Sequence, residues 1–227
     1  MSTETCYKAV RPDGTDFYSG MVAWDRVGDI VRHPNPGSPG LHDAKGYLSV
    51  SVSPTDCTGM KWPCRLLVVE PVEGFPVWEP TPSLPSKRAS HAWHVVRELP
   101  AYEALGTNGA EVAALLDLLP TITSAQWDAA RIAAGNAAGS AAWIVARSAV
   151  WDATRIAAFY AAGNAAGSAA GDAVLALLVR DMITTKQFDV LTAPMRAAGI
   201  DFDTLTGTDR RQQMKTDAAP DMSGEDF

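Results

Sequence analysis

Two histidines, His91 and His94, stand in "HAWH", and two cysteines, Cys57 and Cys64, lie upstream of them. Thiolate and imidazole are the ligands zinc prefers, so these four hold the donor types of a Cys2His2 site. Neither spacing matches the common C-x2-4-C and H-x3-5-H patterns, and no metal is expected. Glu70 and Glu73 flank Pro71 at the end of an apolar run. Paired carboxylates can do acid–base work, but two glutamates at a strand end are usually solvated. Trp24, Trp62, Trp78 and Trp93 have the bulk to line a pocket, or to fill a core. No P-loop, GxGxxG, GxSxG or HExxH occurs anywhere.

The frame for these residues is a chain of 227 residues with a net charge of −7. That length suits one sizeable domain or two small ones, and the acidic balance argues against general nucleic-acid or anionic-membrane binding. Three cysteines are too few and odd in number for a disulfide framework. The start "MSTETCYKAV" lacks a signal-peptide pattern, and no apolar run is long enough to span a membrane. The expectation is a reduced, soluble, cytoplasmic protein.

Residues 5–75 read as short strands separated by turns. "RPDGTD" is a turn, since proline presets φ and glycine accepts φ > 0. In "GYLSVSVSP", Tyr47, Ser49, Ser51 and Ser53 alternate with Leu48, Val50 and Val52, the period of a strand. "CRLLVVEPV" is continuously apolar, as a strand buried on both faces would be. The proline-rich stretch 75–88 suits a boundary, and "ASHAWHVVRELPAYEAL" reads as either strand or short helix. From Asn108 onward the pattern is helical, and "NGAEVAALLDLLP" stops at Pro120. "TSAQ" at 123–126 and "TTKQ" at 184–187 fit capping boxes. Thr192 and Pro194 suit a further helix start, and Gly199 its end.

Between them lies a four-residue repeat: twelve tetrads from Trp127 to Val174, beginning WDAA, RIAA, GNAA, GSAA. Four residues turn a helix through about 400°, so each tetrad is displaced about 40° from the last and the stripes wind around the axis. Trp143, Arg147, Trp151, Arg155 and Phe159 form an i,i+4 ladder in which guanidinium can stack on aromatic rings. With no proline before Pro194, one long helix from about 124 to 182 is expected, the alternative being a hairpin broken at the Asn and Ser beside the glycines. Alanine faces bury little area, so the helix needs a partner. Gly135, Gly139, Gly163 and Gly167 mark zones where another backbone can approach, and with Trp127, Trp143 and Trp151 they are the expected packing or oligomer surface.

The opening "YKAV", then "GLHDAKGYLSVSVSP" and "RLLVVEPVEG", followed by "WDAARIAA" and "WDATRIAA", resembles uncharacterised proteins of actinobacteriophages. That resemblance implies a phage accessory protein acting in the host cytoplasm. More narrowly, "CYKAV", "YLSVSVS", "RLLVVE" and "VVREL" look like the strand order of ADP-ribosyltransferases. That likeness implies an NAD-binding site in which Tyr7 and Ser51 hold the nucleotide and Glu98 contacts the ribose.

The expected fold class is α+β: a mixed β-rich domain at 1–100, a helical Ala-rich region at 101–205, and a disordered tail at 206–227. The leading functional expectation is a non-enzymatic accessory protein, a homo-oligomer through its alanine helix and without a cofactor. Its N-terminal domain would bind a host protein or a small ligand such as a nucleotide. An ADP-ribosyltransferase-like enzyme and a virion structural protein are the alternatives.

Overall fold

Leu66, Leu67, Val68 and Val69 are all buried, as the continuous apolar run predicts, and they form the middle of the sheet. The computed structural model describes residues 4–37, 46–80, 86–134, 141–152, 156–166 and 170–205. Strand β4 (Arg65–Pro71) pairs with β1 (Cys6–Val10) on one side and β6 (Ala92–Leu99) on the other. Strands β2 (Ile30–Arg32), β3 (Leu48–Ser51) and β5 (Lys87–Ser90) complete the order β2-β6-β4-β1-β3-β5, every pair antiparallel. Side chains alternate between the two faces of a strand. Cys6, Val10, Leu67 and Val69 therefore pack on one face with Leu48, Val50, Trp24 and Trp93. Ala9 and Leu66 point the other way, into a core shared with the helices.

The fold is thus α+β, with helices covering one face of an antiparallel sheet. The expected boundary at 100 separates strands from helices, but the two share a core: Leu66 packs in one cluster with Leu105, Val112, Leu115 and Leu175. The proline-rich stretch is no boundary either. Trp78 exchanges backbone hydrogen bonds with Ala89 at 3.0 and 2.8 Å, so the chain runs back along β5. "HAWHVVREL" is strand, and helix α1 (Gly109–Leu118) begins where the helical pattern does. Its first residue must be glycine, because a Cβ there would lie 1.8 Å from the Tyr102 carbonyl oxygen.

Among the described residues, the stretch expected to form one helix shows four helical segments: α2 (Ser124–Ala134), α3 (Ala141–Asp152), α4 (Ile156–Ala166) and α5 (Gly171–Leu178). The residues between them lie outside those described, as does the tail 206–227. Both α2 and α3 pack on α6 (Thr185–Ala197), and both α3 and α4 pack on α5. In a straight rod Asp152 and Gly171 would stand about 28 Å apart along the axis, which forbids such packing. The physical reason is the winding stripe. A displacement of about 40° per tetrad lets a helix of three tetrads keep one alanine face turned inward, while a longer one carries it round to solvent. Ala130, Ala142, Ala146, Ala149, Ala161 and Ala162 are accordingly buried within this single chain.

The helix ends follow the sequence more closely. Thr123 and Gln126 exchange both bonds of a capping box ahead of α2, as do Thr184 and Gln187 ahead of α6. The helix start expected at Thr192 and Pro194 is instead the interior of α6. Thr192 is buried there and its hydroxyl donates to the Phe188 carbonyl at 2.8 Å, in the turn before Pro194. Gly199, at φ +87°, ends α6, and α7 (Phe202–Leu205) follows.

Candidate ligand-binding site

The loop between β1 and β2 is built around one carboxylate. Asp16 Oδ1 accepts from the backbone N–H groups of Tyr18 (2.8 Å) and Ser19 (2.6 Å). Its Oδ2 accepts from the Ser19 hydroxyl (2.6 Å) and the Val22 N–H (3.1 Å). Burial alone would raise the carboxyl's pKa, but these hydrogen bonds and the nearby Lys8 charge hold it below the ordinary value. The turn at "RPDG" closes as expected, with Gly14 at φ +85°, and the Gly14 carbonyl accepts from the Trp24 N–H at 2.8 Å. These constraints lay Trp24, fully buried, over the face of the sheet that the helices leave uncovered.

Beneath Trp24 is Lys8. Alternation places it between Cys6 and Val10 on the same face, and only 8% of it is exposed. Strand β1 meets β3 through the single pair Tyr7–Ser51. The Lys8 side chain crosses beside that junction, donating to the Ser49 carbonyl at 3.0 Å with its ammonium 5.2 Å from the Trp24 ring centroid. Burial lowers the Lys8 pKa and Lys87 lowers it further, while Asp16 and Cys57 raise it. No carboxylate among the described residues forms an ion pair with Lys8, whereas Lys87 is paired with Asp56 at 3.3 Å. The Trp24 indole N–H is buried with no hydrogen-bond partner among the described residues.

Both side chains line a cavity of about 760 Å³. Tyr18, Met21 and Val22 of the first loop form one wall, His33, Tyr47, Leu48 and Ser49 another, and Thr58 and Lys87 reach it from the side. The lining is mainly apolar, with a few polar groups converging on it, the usual composition of a small-molecule site.

The residues singled out by the ADP-ribosyltransferase likeness are not gathered here. Tyr7 and Ser51 are direct cross-strand partners, but on the helix-covered face. Ser51 is fully buried and its hydroxyl donates to the Ser86 carbonyl at 3.3 Å. Glu98 sits opposite Leu67, on the other face of the sheet, bound by both carboxylate oxygens to Arg65 at 3.0 and 2.7 Å. Cys57 and Cys64 lie in the helix-side core, where burial pushes their thiols up to about 11 and about 12. His91 stacks edge-on against Trp78, and Trp93 donates its N–H to the Leu48 carbonyl at 3.1 Å. Among the described residues no cluster of three or more His, Cys, Asp or Glu side chains could hold a metal.

In the helical region Trp127 and Trp143 are half-buried against the core, and Arg147 stacks over the Trp143 ring at 5.0 Å as the ladder predicts. Trp151 lies in α3, while Gly135, Gly139 and Gly167 fall outside the described residues. At Gly163 no described residue of this chain lies within 4 Å of where a Cβ would stand. That glycine borders a shallower space of about 400 Å³ between α3, α4 and α5, walled by Trp143, Phe159 and Tyr160.

Sequence reasoning offered Trp24 as a pocket or a core residue and passed over Lys8. The signal was present: a lysine between two apolar residues, at the inward position of an apolar strand. No family model, curated protein or solved structure matches the chain.

Proposed function

We propose that this chain is a non-enzymatic accessory protein whose β-rich domain is a receptor for a small organic ligand. The observation that carries this reading is the cavity of about 760 Å³ over the sheet, with buried Lys8 and Trp24 in its wall. Ligand pockets commonly measure about 300–1,000 Å³ and combine apolar walls with a few fixed polar groups. A binding role is favoured over catalysis by the state of the nearby acids. Asp16 spends both oxygens on its own loop, Asp56 holds Lys87 and Ser86, and Glu98 is bound to Arg65 outside the cavity. None is left to move a proton on a bound molecule.

The resemblance of the repeat to that of actinobacteriophage proteins supports a phage origin and action in a host's cytoplasm. Self-association remains part of the proposal, with a changed surface. The alanines turn inward, so contact between copies falls to Ile132, Ile144 and Tyr160, which are 80%, 62% and 51% exposed on α2, α3 and α4.

Native mass spectrometry tests both parts. The full chain, exposed to a small-molecule extract of bacterial lysate, is expected to retain an added mass of a small organic compound and to run as a homo-oligomer. A chain that gains no mass overturns the receptor reading, and a monomer at all concentrations overturns self-association.

A further inference from the structure

We infer that the ligand of this cavity is an organic anion whose carboxylate or phosphate oxygens accept hydrogen bonds from Lys8 Nζ, while a flat apolar body lies along Val22 and Leu48. The inference rests on the receptor reading above and names the chemistry of its ligand.

It follows from a count of donors and acceptors around the cavity. An ammonium has three N–H donors. One Lys8 donor goes to the Ser49 carbonyl, and the ring face of Trp24 takes no ordinary hydrogen bond from the others. His33 Nδ1 accepts from the Asn35 N–H at 3.1 Å, which leaves Nε2 as one more donor at the rim. Acceptors do not answer them. Each oxygen of Asp16 already takes two hydrogen bonds from its own loop. The second buried lysine, Lys87, is answered by Asp56. What remains among the described residues is an ammonium in the cavity wall that Asp16 influences only at a distance and that no carboxylate contacts. Buried charges are paired and buried donors are bonded in stable proteins, so the missing partner is an oxyanion brought by the ligand. The neighbouring apolar side chains and the Trp24–Lys8 stack favour a planar body over a bare inorganic ion.

The test is calorimetric titration of the full chain with three probes of one shape: 2-naphthoate, 2-naphthyl phosphate and the neutral 2-naphthamide. At least one anion should bind about tenfold or more tightly than the amide, since charge-assisted hydrogen bonds are the stronger kind. The tighter anion identifies the acid group as carboxylate or phosphate. Lys8→Met should reduce the anion to the affinity of the amide. Equal binding of all three probes overturns the anion assignment and leaves the receptor reading intact. Binding of none of them, in a folded protein, overturns both.

Discussion

Replacing Lys8 with methionine should make the unliganded protein more stable. The substitution forfeits a charge-assisted hydrogen bond to Ser49, worth about 1.5–3 kcal/mol, and a cation–π contact with Trp24 of at most about 2 kcal/mol. It also removes an ammonium that is 8% exposed and has no ion-pair partner among the described residues. Desolvating such a group costs several kcal/mol, and apolar replacements of buried charges are often stabilising by about 1–4 kcal/mol. A net gain of about 1–2 kcal/mol at neutral pH follows, a rise in Tm of about 2–8 °C for a chain of this size. The gain depends on pH with a definite sign. Burial lowers the folded-state pKa of Lys8 below the ordinary 10.5, so the unfolded chain holds that proton more tightly. The native protein bears the full cost below the folded pKa, and the cost fades as pH rises from there towards 10.5. Urea unfolding followed by tryptophan fluorescence, at about pH 7 and about pH 10, reads both effects. A variant less stable by more than about 1 kcal/mol at pH 7, or a gap that does not shrink at pH 10, would refute the reasoning.

Other substitutions probe the frame around the site. Gly109→Ala should cost about 4 kcal/mol or more, because its Cβ would meet the Tyr102 carbonyl, and denaturant unfolding measures it. Glu98→Gln loses a partly exposed ion pair with Arg65 and should cost no more than about 1 kcal/mol while leaving probe affinity unchanged; a large loss of binding would return Glu98 to the site. Ala146→Leu should destabilise by about 1–3 kcal/mol through overpacking, whereas Ile132→Ala on the same repeat should stay within about 0.5 kcal/mol in the monomer. Burial pushes the thiols of Cys6 and Cys57 up to about 11 and that of Cys64 to about 12. An aromatic disulfide reagent at about pH 8 should therefore label all three slowly in the native protein and rapidly in denaturant.

The sheet was legible where local pattern and burial coincide. The run Leu66–Val69 sits at the centre, and Leu48 and Val50 face inward as their alternation requires. The capping boxes at Thr123 and Thr184 were legible because each closes within four residues. The repeat misled for a related reason: periodicity and the lack of proline describe what each turn prefers, while the packing of α3 and α4 on α5 is decided by which faces can be buried together. The candidate site was the least legible part. Trp24 reaches Lys8 only because Asp16 ties its loop, and a contact across the sheet face leaves no spacing rule in the chain. Strand order looked like a nucleotide site at Tyr7, Ser51 and Glu98, but pairing register places Glu98 on the opposite face from the other two.

The central claim is that the cavity holds a small organic molecule, and ligand-observed saturation-transfer NMR with a fragment library tests it most directly. Thr58 is exposed at the side of the cavity, so Thr58→Trp should take up cavity space without disturbing the core. Fragments that receive saturation from the native chain and lose it in this variant are the predicted result. An absence of such fragments, or signals that persist unchanged in Thr58→Trp, would contradict the account.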